Sequence, residues 1–185
     1  MPPQTMLGWH WLAVDRRLQH GARQVVEVGR TYTATGPPGM CRNGMHASRR
    51  ALDALEYAPG PIICRVRLGG PILHDDDKSV AATRIVLWMA DATIRLHEFA
   101  LVCAQGALGS RAATGAEVDA RSWAVLEIKR RWLKGKATDQ ELSAARSAAE
   151  SAARSAARSA AQSAAWSAAW SAENMILESM LEGLR

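Results

Sequence analysis

Residues 61–73 read PIICRVRLGGPIL, from Pro61 to Leu73. In an extended chain Ile62, Cys64, Val66 and Leu68 fall on one side, and Arg65 and Arg67 on the other. That period of two specifies a half-buried strand, and Gly69-Gly70 ends it. Such a strand needs a sheet with one face on a core. Upstream, LGWHWLAV (Leu7 to Val14) has β-favouring aromatics and no early breaker, so it reads as a second strand. RQVVEVGRTYTATGPPG (Arg23 to Gly39) reads as strand, turn at Gly29, strand and Pro-Gly loop. MHASRRALDALEYAPG holds a short helix with Ser48 near its start, Leu52 and Leu55 inward, and Pro59-Gly60 at its end.

Downstream, HDDDKS is an acidic turn. VAATRIVLWMADATIRLHEFALVCAQGAL then carries apolar residues at helical spacing, read as two helices meeting near Ala90 and Asp91. After the small-residue joint GSRAATG, AEVDARSWAVLEIKRRWLKG reads as a helix with Trp123, Leu126, Trp132 and Leu133 near one stripe, ended by Gly135. Thr138 and Glu141 form a capping box that opens a last helix, with no breaker until Gly183. That helix would run about 45 residues, or roughly 70 Å. The expected fold class is α+β: a small, mostly antiparallel sheet with packed helices, then a long Ala-rich C-terminal helix. The expected organisation is a compact domain over 1–108, a joint and amphipathic helix over 109–137, and an assembly helix over 138–185.

The chain has 185 residues, of which 48% are hydrophobic, a net charge of +5 and a pI near 9.6. Much of the apolar fraction is alanine, so the core should lie before about Leu133. The charge permits an acidic partner without requiring one. Cys41, Cys64 and Cys103 are odd in number and widely spaced, which fits a reducing compartment rather than a disulfide framework. The N-terminus lacks a basic-then-apolar signal pattern, and no apolar run is long enough to predict a membrane span.

From Ser143 to Glu173 the chain repeats a four-residue unit, SAARSAAESAARSAARSAAQSAAWSAAWSAE. Four residues advance about 400° around a helix, so each repeat drifts by about 40° and no fixed heptad seam forms. Alanine makes the tract helix-prone without packing help. Trp166 and Trp170 end it, and Ile176, Leu177, Met180, Leu181 and Leu184 follow as an apolar cluster. These seven residues are the candidate interface, against the chain's own core or another subunit.

GMCRNGMHAS (Gly39 to Ser48) is the densest polar cluster. Cys41 and His46 could pair as nucleophile and base, but no third member is identifiable and no paired ligand spacing supports a metal, so we expect none. Asp75, Asp76 and Asp77 read as a solvated turn. Lys129, Arg130, Arg131 and Lys134 lie beside Trp132 and could hold nucleic-acid phosphates; their placement at a helix C-terminus is the reading we prefer.

The stretches GWHWL, VEVGRTYT, MCRNGMHAS, ALDALEYAPGPIICRVRLGG and DDDKSVAATRIVLWMADA resemble an uncharacterised family of tailed-bacteriophage proteins, over about Gly8 to Leu101. The resemblance implies phage origin and expression in a bacterial cytoplasm, and no activity. The order WHW, GMHAS, ALDALEYA, CRVRLGG is also similar to that of the ADP-ribosyltransferase fold. That likeness implies that His10 would hold a nicotinamide ribose and that His46 would replace an aromatic residue. Trp11 stands where that fold has glycine or serine, and no strand with a catalytic glutamate is evident. His10, His46 and Tyr57 are the catalytic candidates on this alternative.

We therefore expect a non-enzymatic accessory protein without cofactor. It would form a homo-oligomer or bind a host protein through its C-terminal helix, with no membrane contact. The alternative is a nucleotide-binding or NAD-consuming enzyme built on residues 8–70. A shared pocket for His10, His46 and Tyr57 would favour the enzyme.

Overall fold

The computed structural model describes residues 5–19, 23–156 and 166–185, without the side chains of 150–156 and 166–170. The elements are β1 (Thr5–Leu12), β2 (Thr31–Thr33), β3 (Met45–Ala47), α1 (Ala51–Leu55), β4 (Ile62–His74), β5 (Ser79–Asp91), α2 (Thr93–Ala113), α3 (Ala120–Leu133), α4 (Asp139–Ala156) and α5 (Trp166–Glu182). The fold is α+β with a five-stranded antiparallel sheet.

The chain divides into two compact units: Met1–Thr93 with Ser171–Arg185, and Ile94–Trp170. The helical unit follows Thr93, and residues 171–185 belong to the sheet domain.

In the sheet domain the strand order is β1-β4-β5-β2, with β3 also on β5. The residue after β3 then reaches β1: the Trp9 N–H donates to the Ser48 carbonyl at 2.8 Å, and the Ser48 N–H donates to the Trp9 carbonyl at 3.0 Å. The sheet thus curls until its first strand meets the extension of β3. Two glycines permit this closure. A Cβ on Gly8 would lie 2.9 Å from the Ser48 oxygen, and one on Gly44 would lie 2.3 Å from Val80 Cγ2, at φ +127°.

The inner face carries the alternation seen in the sequence. Ile62, Cys64, Val66 and Leu68 of β4 join Leu12, Tyr32, Ala47, Ala81 and Val86 in one buried cluster. The opposite face is not uniformly wet. The Arg65 guanidinium lies over the Trp9 ring, 4.4 Å from its centroid, and Trp9 meets Trp88 edge-to-face at 5.8 Å. α1 packs against β1 beside them, where Trp11 Nε1 donates to the Ala51 carbonyl at 3.4 Å.

Several sequence expectations are corrected. Ser79–Asp91 is a strand, not a helix, and α2 is one helix beginning at Thr93. β5 pairs with β2, β3 and β4, and apolar side chains on both of its faces mimic helical spacing. The joint near Ala90 and Asp91 is real: the Asp91 carboxylate accepts from the Thr93 N–H at 2.8 Å. Arg23 to Glu27 is not a strand; only Val25 makes an isolated bridge, to Arg17. Ser48 does lie just before α1, and its backbone pairs with β1.

In the helical unit α3 starts at an Asp119 cap and stops at Gly135, φ +66°. The Thr138–Glu141 capping box forms in both directions, at 2.7 and 3.1 Å. Residues 157–165, which the single long helix expected over 138–185 would cross, lie outside the described residues. No described helix is long and apolar enough to cross a membrane.

Candidate functional site

The inner face of the sheet holds one polar group among apolar residues. In the strand register His10 of β1 stands opposite Cys64 of β4, and Arg84 of β5 stands opposite Leu68 and Tyr32. Arg84 is 3% exposed. Its Nη1 donates to the His46 carbonyl at 2.7 Å, and its Nε has no partner. Among the described residues no carboxylate forms an ion pair with it.

Burial controls the electrostatics here. A strip of His10 reaches the surface, yet desolvation, then the Arg84 and His46 charges, hold its pKa well below the usual imidazole value. Burial pushes the Cys64 thiol up to about 12, against the opposing pull of Arg84. Burial also lowers Arg84 to about 10. At neutral pH the group is therefore a neutral imidazole, a protonated thiol and a charged guanidinium. A thiol so far from ionising is a poor nucleophile.

His46 lies next to this group through its backbone. Its Nε2 accepts from the Cys41 N–H at 3.4 Å, a bond to the main chain of Cys41. Cys41 is exposed in a left-handed conformation, φ +56°.

Tyr57 is 48% exposed, its hydroxyl donates to the Asp77 carboxylate, and Lys78 Nζ donates to that hydroxyl at 3.1 Å. The bond to Asp77 is the first cause of its raised pKa. Tyr57 is thus tied to the hairpin between β4 and β5, the solvated acidic turn read from the sequence.

Two shallow clefts occur among the described residues. One, of about 180 Å³, is lined by Arg49, Asp53, His74, Asp75, Asp76, Asp77, Lys78 and Ser79. The other, of about 200 Å³, is lined by Thr5, Thr31, Arg67, Leu68, Gly69, Thr83 and Ile85. Neither of these two is lined by His10, His46 or Tyr57; the two histidines lie on segments joined by the Trp9–Ser48 bridge, and Tyr57 bonds to Asp77 and Lys78. Among the described residues no three His, Cys, Asp or Glu side chains form a metal-binding set.

The C-terminal cluster docks on the sheet domain itself. Leu177 and Leu181 are fully buried, Met180 and Leu184 are half-buried, and Ile176 is 37% exposed. Beside the two leucines, Asn174 Oδ1 accepts from the Leu52 N–H at 2.9 Å. Glu178 Oε1 accepts from the Ala51 N–H at 3.0 Å and from Arg50 Nε at 2.9 Å. α1 has no side-chain cap of its own at Arg50, so α5 supplies one from more than 120 residues away. Sequence spacing gave the apolar stripe; nothing local signals Asn174 and Glu178. The Trp166 and Trp170 side chains lie outside the described residues.

The basic run also resolves into individual roles. Lys129 is buried over the Trp132 ring, Arg130 pairs with Glu127 at 3.0 Å, and Arg131 approaches Glu141 at 3.9 Å. Lys134 is exposed at the C-cap of α3. Four cations therefore do not present one continuous face.

Residues 13–102 match the model of a family described as "Domain of unknown function (DUF7666)", just under half of the chain. No curated protein matches the chain. No solved structure matches it either.

Proposed function

We propose that the protein is a phage-encoded, non-enzymatic accessory protein of the host bacterial cytoplasm that self-associates through the outward side of its C-terminal helix. The observation that carries this reading is the division of labour on α5. Asn174, Leu177, Glu178 and Leu181 repeat at helical spacing on the docked side, while Met175 and Ile176 remain 64% and 37% exposed beside them. A helix anchored on one side presents its other apolar residues in a fixed geometry, which lowers the entropy cost of binding. The inner polar group fits the same reading, because it holds a protonated thiol and a neutral imidazole.

Sedimentation velocity over a wide concentration range tests the proposal. The parent should associate, and a Met175→Glu, Ile176→Glu variant should sediment as a monomer with unchanged helicity. A parent that remains monomeric at every concentration would show the reading to be wrong.

A further inference from the structure

We propose that the junction of α2, α3 and α4 is a binding site for a small phosphate-type anion, held by Lys129, Arg146 and His97 around the Trp132 indole. The starting point is Lys129. It lies on α3 three residues after Leu126, so both face the interior of the helical unit, and it is only 7% exposed. Its Nζ sits 3.9 Å from the Trp132 ring centroid and has no hydrogen-bond partner. A cation–π contact offsets part of the desolvation of an ammonium, but it satisfies none of its three N–H donors.

Two further basic residues lie nearby. His97 of α2 meets the same indole edge-on, with ring centroids 4.9 Å apart. Burial, then Lys129, then Arg146, lower its pKa. Burial followed by Arg146 lowers that of Lys129. Lys129 and His97 thus meet on one aromatic ring, and Arg146 of α4 acts on both of them electrostatically.

Among the described residues, the nearby acids are committed elsewhere. Glu98 pairs with Arg95, Glu127 with Arg130, and Glu141 with Thr138 and Arg131. Asp139 accepts from Trp132 Nε1 at 2.7 Å, which fixes the indole rather than neutralising Lys129. A buried ammonium without a counter-charge among the described residues is costly, and an anion that reaches it offsets the cost.

Arg146 is exposed, and His97 is half-exposed. An arriving dianion would meet these two first. Lys129 completes the set by rotating its ammonium off the indole. Phosphate suits the geometry because its oxygens accept from several directions, and guanidinium and ammonium donors complement each other on it.

The test uses the full chain, with inorganic phosphate titrated at constant ionic strength against chloride. Phosphate should raise the melting temperature and shift the Trp132 indole N–H resonance, assigned with Trp132→Phe. Lys129→Met should weaken phosphate binding at least tenfold. Arg146→Gln, a change at an exposed position that leaves the fold intact, should weaken it severalfold. No response to millimolar phosphate in the parent would overturn the proposal, as would equal affinity in the parent and both variants. Binding of a single-stranded oligonucleotide without any response to phosphate would also overturn it, because the contact would then belong to a nucleic-acid surface.

Discussion

Replacing Leu177 with alanine should destabilise the sheet domain even though the residue lies in the C-terminal helix. Leu177 is fully buried, and such a truncation loses transfer free energy and leaves a cavity, together about 2–5 kcal/mol. Asn174→Ala removes the acceptor of the Leu52 N–H. Loss of a cap costs about 0.5–2 kcal/mol, and the upper part applies because Leu52 is itself buried. The two residues are neighbours on one helix, so the double variant should lose less than the sum. Set against a domain stability of about 5–15 kcal/mol, Leu177→Ala alone would remove a large fraction. Urea unfolding of the full chain gives the free energy. Amide exchange at Ala51 and Leu52 localises it, because these donors bond to Glu178 and Asn174. A loss below about 0.5 kcal/mol in Leu177→Ala, with Ala51 and Leu52 still protected, would refute the idea that α5 is part of this core.

Two further outcomes follow from the sheet domain. His10 has a folded pKa below its unfolded value, so the neutral form is favoured on folding. Stability should be full above about pH 6.5 and fall as pH drops below it, by up to about 1.4 kcal/mol per pH unit until the folded pKa is reached. His97 titrates in the same sense in the helical unit, so His97→Gln should be the background in which His10→Gln flattens the melting curve between pH 7 and pH 5. Gly44→Ala should destabilise by several kcal/mol, because its Cβ would fall 2.3 Å from Val80 Cγ2 at a positive φ. Thermal melting checks this, and a melting point equal to that of the parent would contradict the close packing at the β3 entrance.

The legible parts of the fold are those whose determinants are local. The alternation in β4 faces one buried cluster, and the Thr138–Glu141 box spans three residues; both are readable in sequence. β5 is central, with partners on both edges and apolar residues on both faces, so its period of two disappears. The cap on α1 is built by Asn174 and Glu178, and no window of sequence contains both ends of that contact. For the site, His10 and His46 lie on segments joined by the Trp9–Ser48 bridge, a pairing far apart in sequence that no local pattern shows. Lys129 was hidden among other basic residues. Its spacing of three from both Leu126 and Trp132 was the available sign that it belongs to the interior stripe.

The discontinuity of the sheet domain gives it a schedule during synthesis. β1 to β5 leave the ribosome with the first N–H groups of α1 still unpaired, and the whole helical unit must be translated before Asn174 and Glu178 exist. At about 5–20 residues per second, that interval is on the order of ten seconds. Throughout it, the surface later covered by Leu177 and Leu181 faces water on a nascent chain. Each tetrad inserted into the tract between Ser143 and Glu173 lengthens the delay. The length of the repeat therefore acts as a clock on the maturation of a domain whose other parts are already in place.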